Sequence, residues 1–225
     1  MREYLLADLL IPGRGDPIVA GAVVLEQGMI TYAGPSTGAP VRATDDTVTE
    51  LRVLMPGLWD CHTHFVGSPD ANLEKMASLS PVTAAARAVA DAGALLDGGV
   101  TSVRDVGGLG LKLAPAAADG SMRSPKIHAA GRILSTTGGH ADIHSLPLDM
   151  VHEVACNHGF SILCDGVPEV TKAVRINLRD NAKLIKVCAS GGVMSEIDHP
   201  MHQQFSDEEL RAIVEEAARA ERIVA

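Results

Sequence analysis

Aromatic side chains are scarce. The chain holds one Trp, two Tyr and three Phe among 225 residues, so its core has to be built from Ala, Val, Leu and Ile. Hydrophobic residues still make up 46% and the mean hydropathy is +0.14, which describes a packed chain rather than a disordered one. Runs of Lys and Arg are missing. The net charge is -9 and the isoelectric point about 5.4. Without a basic footprint for a phosphate backbone, a nucleic-acid partner is not expected. No apolar run approaches the ~18 residues needed to cross a bilayer, and the N-terminus, interrupted by Glu3 and Asp8, lacks a signal-peptide cleavage pattern; no membrane partner is expected either. Cysteine is sparse. Cys61, Cys156, Cys164 and Cys188 form no Cys-x-x-Cys pair and read as free thiols of a reducing cytoplasm.

What is present changes character along the chain. Residues 1–55 read as short strands with turn punctuation, including a hairpin of Val23–Leu25 and Met29–Ala33 around Glu26-Gln27-Gly28. From residue 56 strands alternate with helices. Pro81–Leu96 is Ala-rich and helical, ending at Gly98-Gly99. Val100–Val106 is a strand, Leu111–Ala118 a short helix, and Lys126–Gly131 the next strand. A helix over Thr171–Asn181 and a strand over Leu184–Ala189 follow. Ser206, with Glu209 three residues on, caps a helix running to about Arg222, and Ile223-Val224-Ala225 opens one more strand. This alternation predicts an α/β fold with a parallel sheet, either doubly wound or a (β/α)8 barrel. No Gly-x-Gly-x-x-Gly follows any strand, which weakens the nucleotide-binding version. The stretch from Ser135 to Pro168 reads as an unusually long connection over the active face.

Chemistry concentrates where the apolar run Leu51–Leu58 leads into Trp59-Asp60-Cys61-His62-Thr63-His64. Side chains at i and i+2 of a strand share a face, so His62 and His64 project together, while Cys61 and Thr63 point away. Two imidazoles at a strand end make half of a metal site; a strand end that merely carries two histidines has the same pattern. Lys186 lies inside an apolar strand, Leu-Ile-Lys-Val-Cys-Ala. It either snorkels to solvent or points into a barrel mouth, where sites of such folds lie. Cys188 shares its face, where it reads as a small barrel-filling side chain, with a thiol ligand as the alternative.

Three segments in order, Pro56-Gly57-Leu58-Trp59-Asp60-Cys61-His62-Thr63-His64, Gly99–Gly108 and Lys186–Ser195, resemble the amidohydrolase superfamily, in its imidazolonepropionase-like and Xaa-Pro/Xaa-Arg dipeptidase branch. The resemblance spans essentially the whole chain. It implies the first half of a (β/α)8 TIM barrel over residues 56–225, preceded over 1–55 by strands of a small β-sandwich. It implies that His62 and His64 bind a metal. Lys186, carboxylated by carbon dioxide, would bridge two divalent ions, zinc first, with iron, manganese or cobalt as alternatives. A hydroxide held between the metals would then attack an amide carbonyl. His140, in Gly138-Gly139-His140-Ala141-Asp142, matches a Gly-Gly-His motif of the branch and is expected to hold the substrate's carboxylate or polarise its carbonyl.

The family's later ligands, a histidine on each of strands five and six and an aspartate on strand eight, would fall past Ala225. His199 and His202 read as loop residues rather than replacements. The chain is therefore expected to be an N-terminal, incomplete piece of a metal-dependent hydrolase that cleaves the C–N bond of a dipeptide or N-acyl amino acid. A half barrel has open edges, so poor stability or homo-oligomerisation is expected of it alone. Two other readings remain open on the sequence: a non-catalytic remnant serving as an interaction module, and a cyclic amide or imidazolone hydrolase.

Overall fold

The computed structural model describes residues 1–70, 72–193 and 197–225, so Met194 and Ser195 of the third motif lie outside the described residues. The chain divides into two compact units, Met1–Gly57 and Leu58–Ala225.

The first unit is a four-stranded sheet of β1 (Arg2–Leu10), β2 (Ile18–Glu26), β3 (Met29–Pro35) and β4 (Thr47–Leu54), in the order β3-β2-β1-β4. β2 is antiparallel to β1 and β3, and β4 runs parallel to β1. The β2–β3 hairpin turns on Gln27 and Gly28, both at positive φ, the backbone that suits a two-residue turn to the twist of its strands. Sequence reasoning did not single out β1. Its buried residues, Tyr4, Ala7 and Leu10, recur every third position, which hides the two-residue alternation of a strand. The expected continuous run from Leu51 to Leu58 is corrected: β4 ends at Leu54, Met55-Pro56-Gly57 has no regular structure, and a new strand begins at Leu58. Pro56 has no N–H to give to a ladder.

The second unit contains β5 (Leu58–Thr63), α1 (Pro81–Asp97), β6 (Val100–Asp105), α2 (Gly110–Ala118), β7 (Lys126–Ala129), β8 (Ile133–Ser135), α3 (Leu148–His158), β9 (Ser161–Leu163), α4 (Gly166–Arg179), β10 (Leu184–Ile185), α5 (Asp207–Arg219) and β11 (Ile223–Val224). β5, β6 and β7 pair in parallel, in that order. The third strand then kinks at Gly131, whose φ is +75°, and resumes as β8. The Lys183 N–H donates to the Ala129 carbonyl (2.8 Å), the Leu134 N–H to the Lys186 carbonyl (2.9 Å) and the Cys188 N–H to the Leu134 carbonyl (3.0 Å). β10 therefore lies beside the third strand, with β11 parallel to it. On its other side β8 pairs in parallel with β9.

Val103, Ile127 and Ala129 pack with Ala84, Ala88 and Ala92 in one buried cluster. Alanine every fourth residue gives α1 a flat apolar face, so a tight core forms here with few aromatic rings. A second cluster joins Val170, Ala173 and Val174 of α4 to Ile213 and Ala217 of α5, over Leu134 and Ile185.

Several boundaries differ from expectation. The Ser135–Pro168 connection is not a plain loop: it contains α3 and β9. α4 starts at Gly166 rather than Thr171, because Pro168 sits in its first turn, where a missing N–H costs nothing. The expected strand Leu184–Ala189 keeps ladder pairing only over Leu184–Ile185, with an isolated bridge at Val187. The Ser206–Glu209 capping box is present, and its helix ends at Arg219. Among the described residues, no helix is long and apolar enough to cross a membrane.

Candidate active site

A cavity of about 760 Å³ opens at the C-terminal ends of the parallel strands, lined among others by His62, His64, His140, Lys186, Cys188 and Phe160. His62 is the penultimate residue of β5, which ends at Thr63, and His64 lies one residue beyond that strand. Their ring centroids are 5.2 Å apart at 60°. His64 Nδ1 lies 2.9 Å from the Gly107 carbonyl oxygen. A neutral ring meets that carbonyl by donating Nδ1–H, which leaves the Nε2 lone pair for a ligand. A Cβ at Gly107 would lie 2.5 Å from Ile133 Cγ1 and 3.4 Å from His64 Nδ1, and its φ is +145°, so only glycine brings this carbonyl to the ring.

The turn that carries His64 is held from below. Asp105, fully buried, accepts the Phe65 N–H on Oδ1 (3.0 Å) and the Gly110 N–H on Oδ2 (2.9 Å). Burial pushes its carboxyl up to about 6, and the two N–H groups oppose the shift. The Val106 N–H donates to the Thr63 carbonyl and the Leu109 N–H to the Phe65 carbonyl, so the segments after β5 and β6 are stitched together.

Both histidines are held below the usual imidazole pKa. Burial is the main cause for each; Lys186 and Arg104 add to it at His62, and His62 and Lys186 at His64, where the Gly107 carbonyl opposes. Both rings are therefore neutral near pH 7, the form that binds metal. Burial raises the Cys188 thiol, more than the positive Lys186 lowers it. Cys61 is exposed, and its carbonyl accepts from Arg104 Nε (2.7 Å).

His140 forms another part of the wall. Its backbone N–H donates to Gln204 Oε1 (3.1 Å) and its Nδ1 lies 3.9 Å from Asp198 Oδ2. Asp198 Oδ2 accepts from the Gly192 N–H (3.1 Å) and from Gln204 Nε2 (2.8 Å). The ring packs against Gly192, where a Cβ would fall 1.9 Å from His140 Cε1. Within the Gly-Gly-His-Ala-Asp segment the Gly138 N–H donates to Asp142 Oδ2 (2.9 Å). His199 and His202 are exposed, with rings 5.2 Å apart, and neither is among the residues that line the cavity.

The structure thus brings His62, His64, Lys186 and His140 to one cavity. Sequence reasoning missed Asp198 and Gln204, whose partner His140 is about 60 residues away, a separation no local pattern reveals. Among the described residues, no three His, Cys, Asp or Glu side chains group so that they could hold a metal ion. The third group beside the imidazoles is Lys186.

A partial barrel of parallel strands, with paired histidines, a lysine and a third histidine at its C-terminal mouth, defines a hydrolase-type α/β barrel. The sequence matches the amidohydrolase family over residues 53–225, and the chain belongs to that family. It is 42% identical over 237 residues to ochratoxinase of Aspergillus niger, covering 98% of this chain and 48% of the relative. The crystal structure of that ochratoxinase superposes with a TM-score of 0.91 at 40% identity, over 99% of this chain and 55% of the other. A prolidase complexed with N-methylphosphonate-L-proline superposes with a TM-score of 0.85 at 32% identity, over 100% and 55%. Imidazolonepropionase of a Methylobacterium species is 33% identical over 60% of this chain and 40% of its own length. The chain spans about half the length of the curated relatives it matches. Amidohydrolases are generally metal-dependent.

Proposed function

We propose that this chain supplies the first part of the active site of a metal-dependent amidohydrolase that cleaves an amide C–N bond in a dipeptide or N-acyl amino acid. The observation that carries the reading is the neutral pair His62 and His64 beside Lys186 in one cavity. On this reading residues 1–55 belong to a small β-sandwich and residues 56–225 to the barrel. The names of the relatives, an ochratoxinase and a prolidase, support an amide substrate.

The donor set fits a metal in part. His62 and His64 offer imidazole nitrogens in the ligating form. Lys186 as an ammonium opposes a cation, as its depression of both histidine pKa values illustrates. Reaction of its neutral amine with carbon dioxide forms an N–C bond and releases one proton. The resulting carbamate reverses the sign of the charge and offers oxygen ligands to one or two divalent ions. Zinc suits imidazole and oxygen donors, and iron, manganese and cobalt are the alternatives. When bound, such an ion supplies Lewis acidity and a water of lowered pKa. His140, fixed through its backbone by Gln204 and flanked by Asp198, holds the substrate's carboxylate or polarises its carbonyl.

The test is hydrolysis of a panel of dipeptides, N-acyl amino acids and cyclic amides by the metal-loaded full-length protein that carries this chain. Turnover of the first two classes, reduced at least about 100-fold in His62→Ala and in Lys186→Ala, is the expected result. Unchanged turnover in either variant would overturn the assignment. Turnover confined to cyclic amides would favour the second reading, a cyclic amide hydrolase, which the likeness to imidazolonepropionase supports.

A further inference from the structure

The cavity has two chemically different parts. One part holds the histidines, Lys186 and polar residues such as Ser68, Asn72 and Ser145; the other is lined by Val66, Ile133, Ala141, Ile143 and Phe160. These five, with Cys188, belong to one buried apolar cluster backed by Met76, Val151 and Val154. Ile133 and Ile143 are 4% exposed and Phe160 is 7% exposed, so this wall is held rigidly from behind and presents only its edge. Ile133 is in close packing with Gly107, whose carbonyl meets His64. The apolar wall therefore begins within one residue's width of the imidazole pair.

We propose that this wall is a specificity subsite, and that the substrate carries an aromatic or branched aliphatic group flanking its scissile bond and lodged against Val66, Ile133, Ile143 and Phe160. The proposal rests on the amidohydrolase reading for the position of that bond. The side chains of these four residues contain no donor or acceptor, so a polar substituent there sheds its water without replacement. An apolar one gains by leaving water, and the fixed wall has little to reorganise. The cavity's acidic residues are Asp70, Glu74 and Asp142; Asp70 and Glu74 are exposed, Asp70 is paired with Lys75, and the buried Asp142 accepts the Gly138 N–H. They make a cationic group the competing specificity.

Sulfonamides mimic the amide and resist hydrolysis, so binding can be read without turnover. The dissociation constants of N-methanesulfonylglycine, N-benzenesulfonylglycine, N-methanesulfonylphenylalanine and N-(2-aminoethanesulfonyl)glycine are measured by calorimetry on the metal-loaded full-length protein that carries this chain. At least one of the two aromatic compounds is expected to bind about tenfold or more tighter than methanesulfonylglycine. That preference is expected to shrink at least threefold in Val66→Ser and in Phe160→Leu, with folding of each variant checked by circular dichroism. Equal affinity across the series, tightest binding of the aminoethyl compound, or a preference untouched in both folded variants would overturn the subsite. An aromatic preference in a protein that hydrolyses nothing on the panel would retain the subsite and overturn the hydrolytic reading.

Discussion

At the scale of single residues, the site depends on groups that hold the histidines more than on the histidines alone. His62 and His64 were legible from their spacing, because alternation along a strand is a local rule. Lys186 was legible as a charge out of place in an apolar strand. Asp105 did not stand out in the sequence, because its partners, the Phe65 and Gly110 N–H groups, follow from the fold. Replacing it with Asn leaves one of those N–H groups facing an amide NH2. Asp105→Asn is expected to cost about 1–3 kcal/mol in urea denaturation. The pH dependence has a definite sign. The folded carboxyl titrates at about 6, above its ordinary 3.8, so the folded state keeps a proton that the unfolded chain has released. The contribution of Asp105 is therefore full below about pH 4 and falls as pH rises to about 6. The deficit of Asp105→Asn should be larger at pH 4.5 than at pH 7, and an equal or reversed deficit would contradict the assigned shift. Gly107→Ala, with its Cβ driven into Ile133, is expected to displace His64 and lower metal uptake.

At the scale of elements, capping and punctuation were read well and the long connection was not. Ser206 and Glu209 form the capping box that their spacing announced. Glu209 also accepts the Gly166 N–H on Oε1 (2.6 Å), tying the start of α5 to the start of α4. Ser206→Ala should therefore lower stability by about 1 kcal/mol, and Glu209→Ala, which loses the second link too, by more; thermal denaturation of both variants gives the order. α3 lay within the stretch expected to be a long connection. Its signals were present: buried Val151, Val154, Ala155 and His158 at helical spacing, and Gly159 in the left-handed conformation as its stop. β9 has three residues, too few for any periodicity. β10 carries two, because the strand pairs through single bridges where it opens into the cavity.

At the scale of the whole molecule, alternation of strands and helices specified the parallel order, and scarce aromatics specified an alanine-lined sheet–helix core. The sequence carried less of how the cavity closes. Its apolar wall draws on Val66, Ile133, Ile143 and Phe160 from four separate segments, which meet only through the fold. Metal binding to the native cavity alone stabilises by mass action, so divalent ions with bicarbonate should raise the melting temperature and a chelator should reverse the rise. Neither effect is expected in His62→Ala. The most direct measurement is the metal content of the protein purified in the presence of zinc and bicarbonate, compared with His64→Ala and Lys186→Ala. The account predicts at least about one tightly held divalent ion per chain in the parent and near-background content in both variants. Equal metal content in the parent and the variants would contradict it.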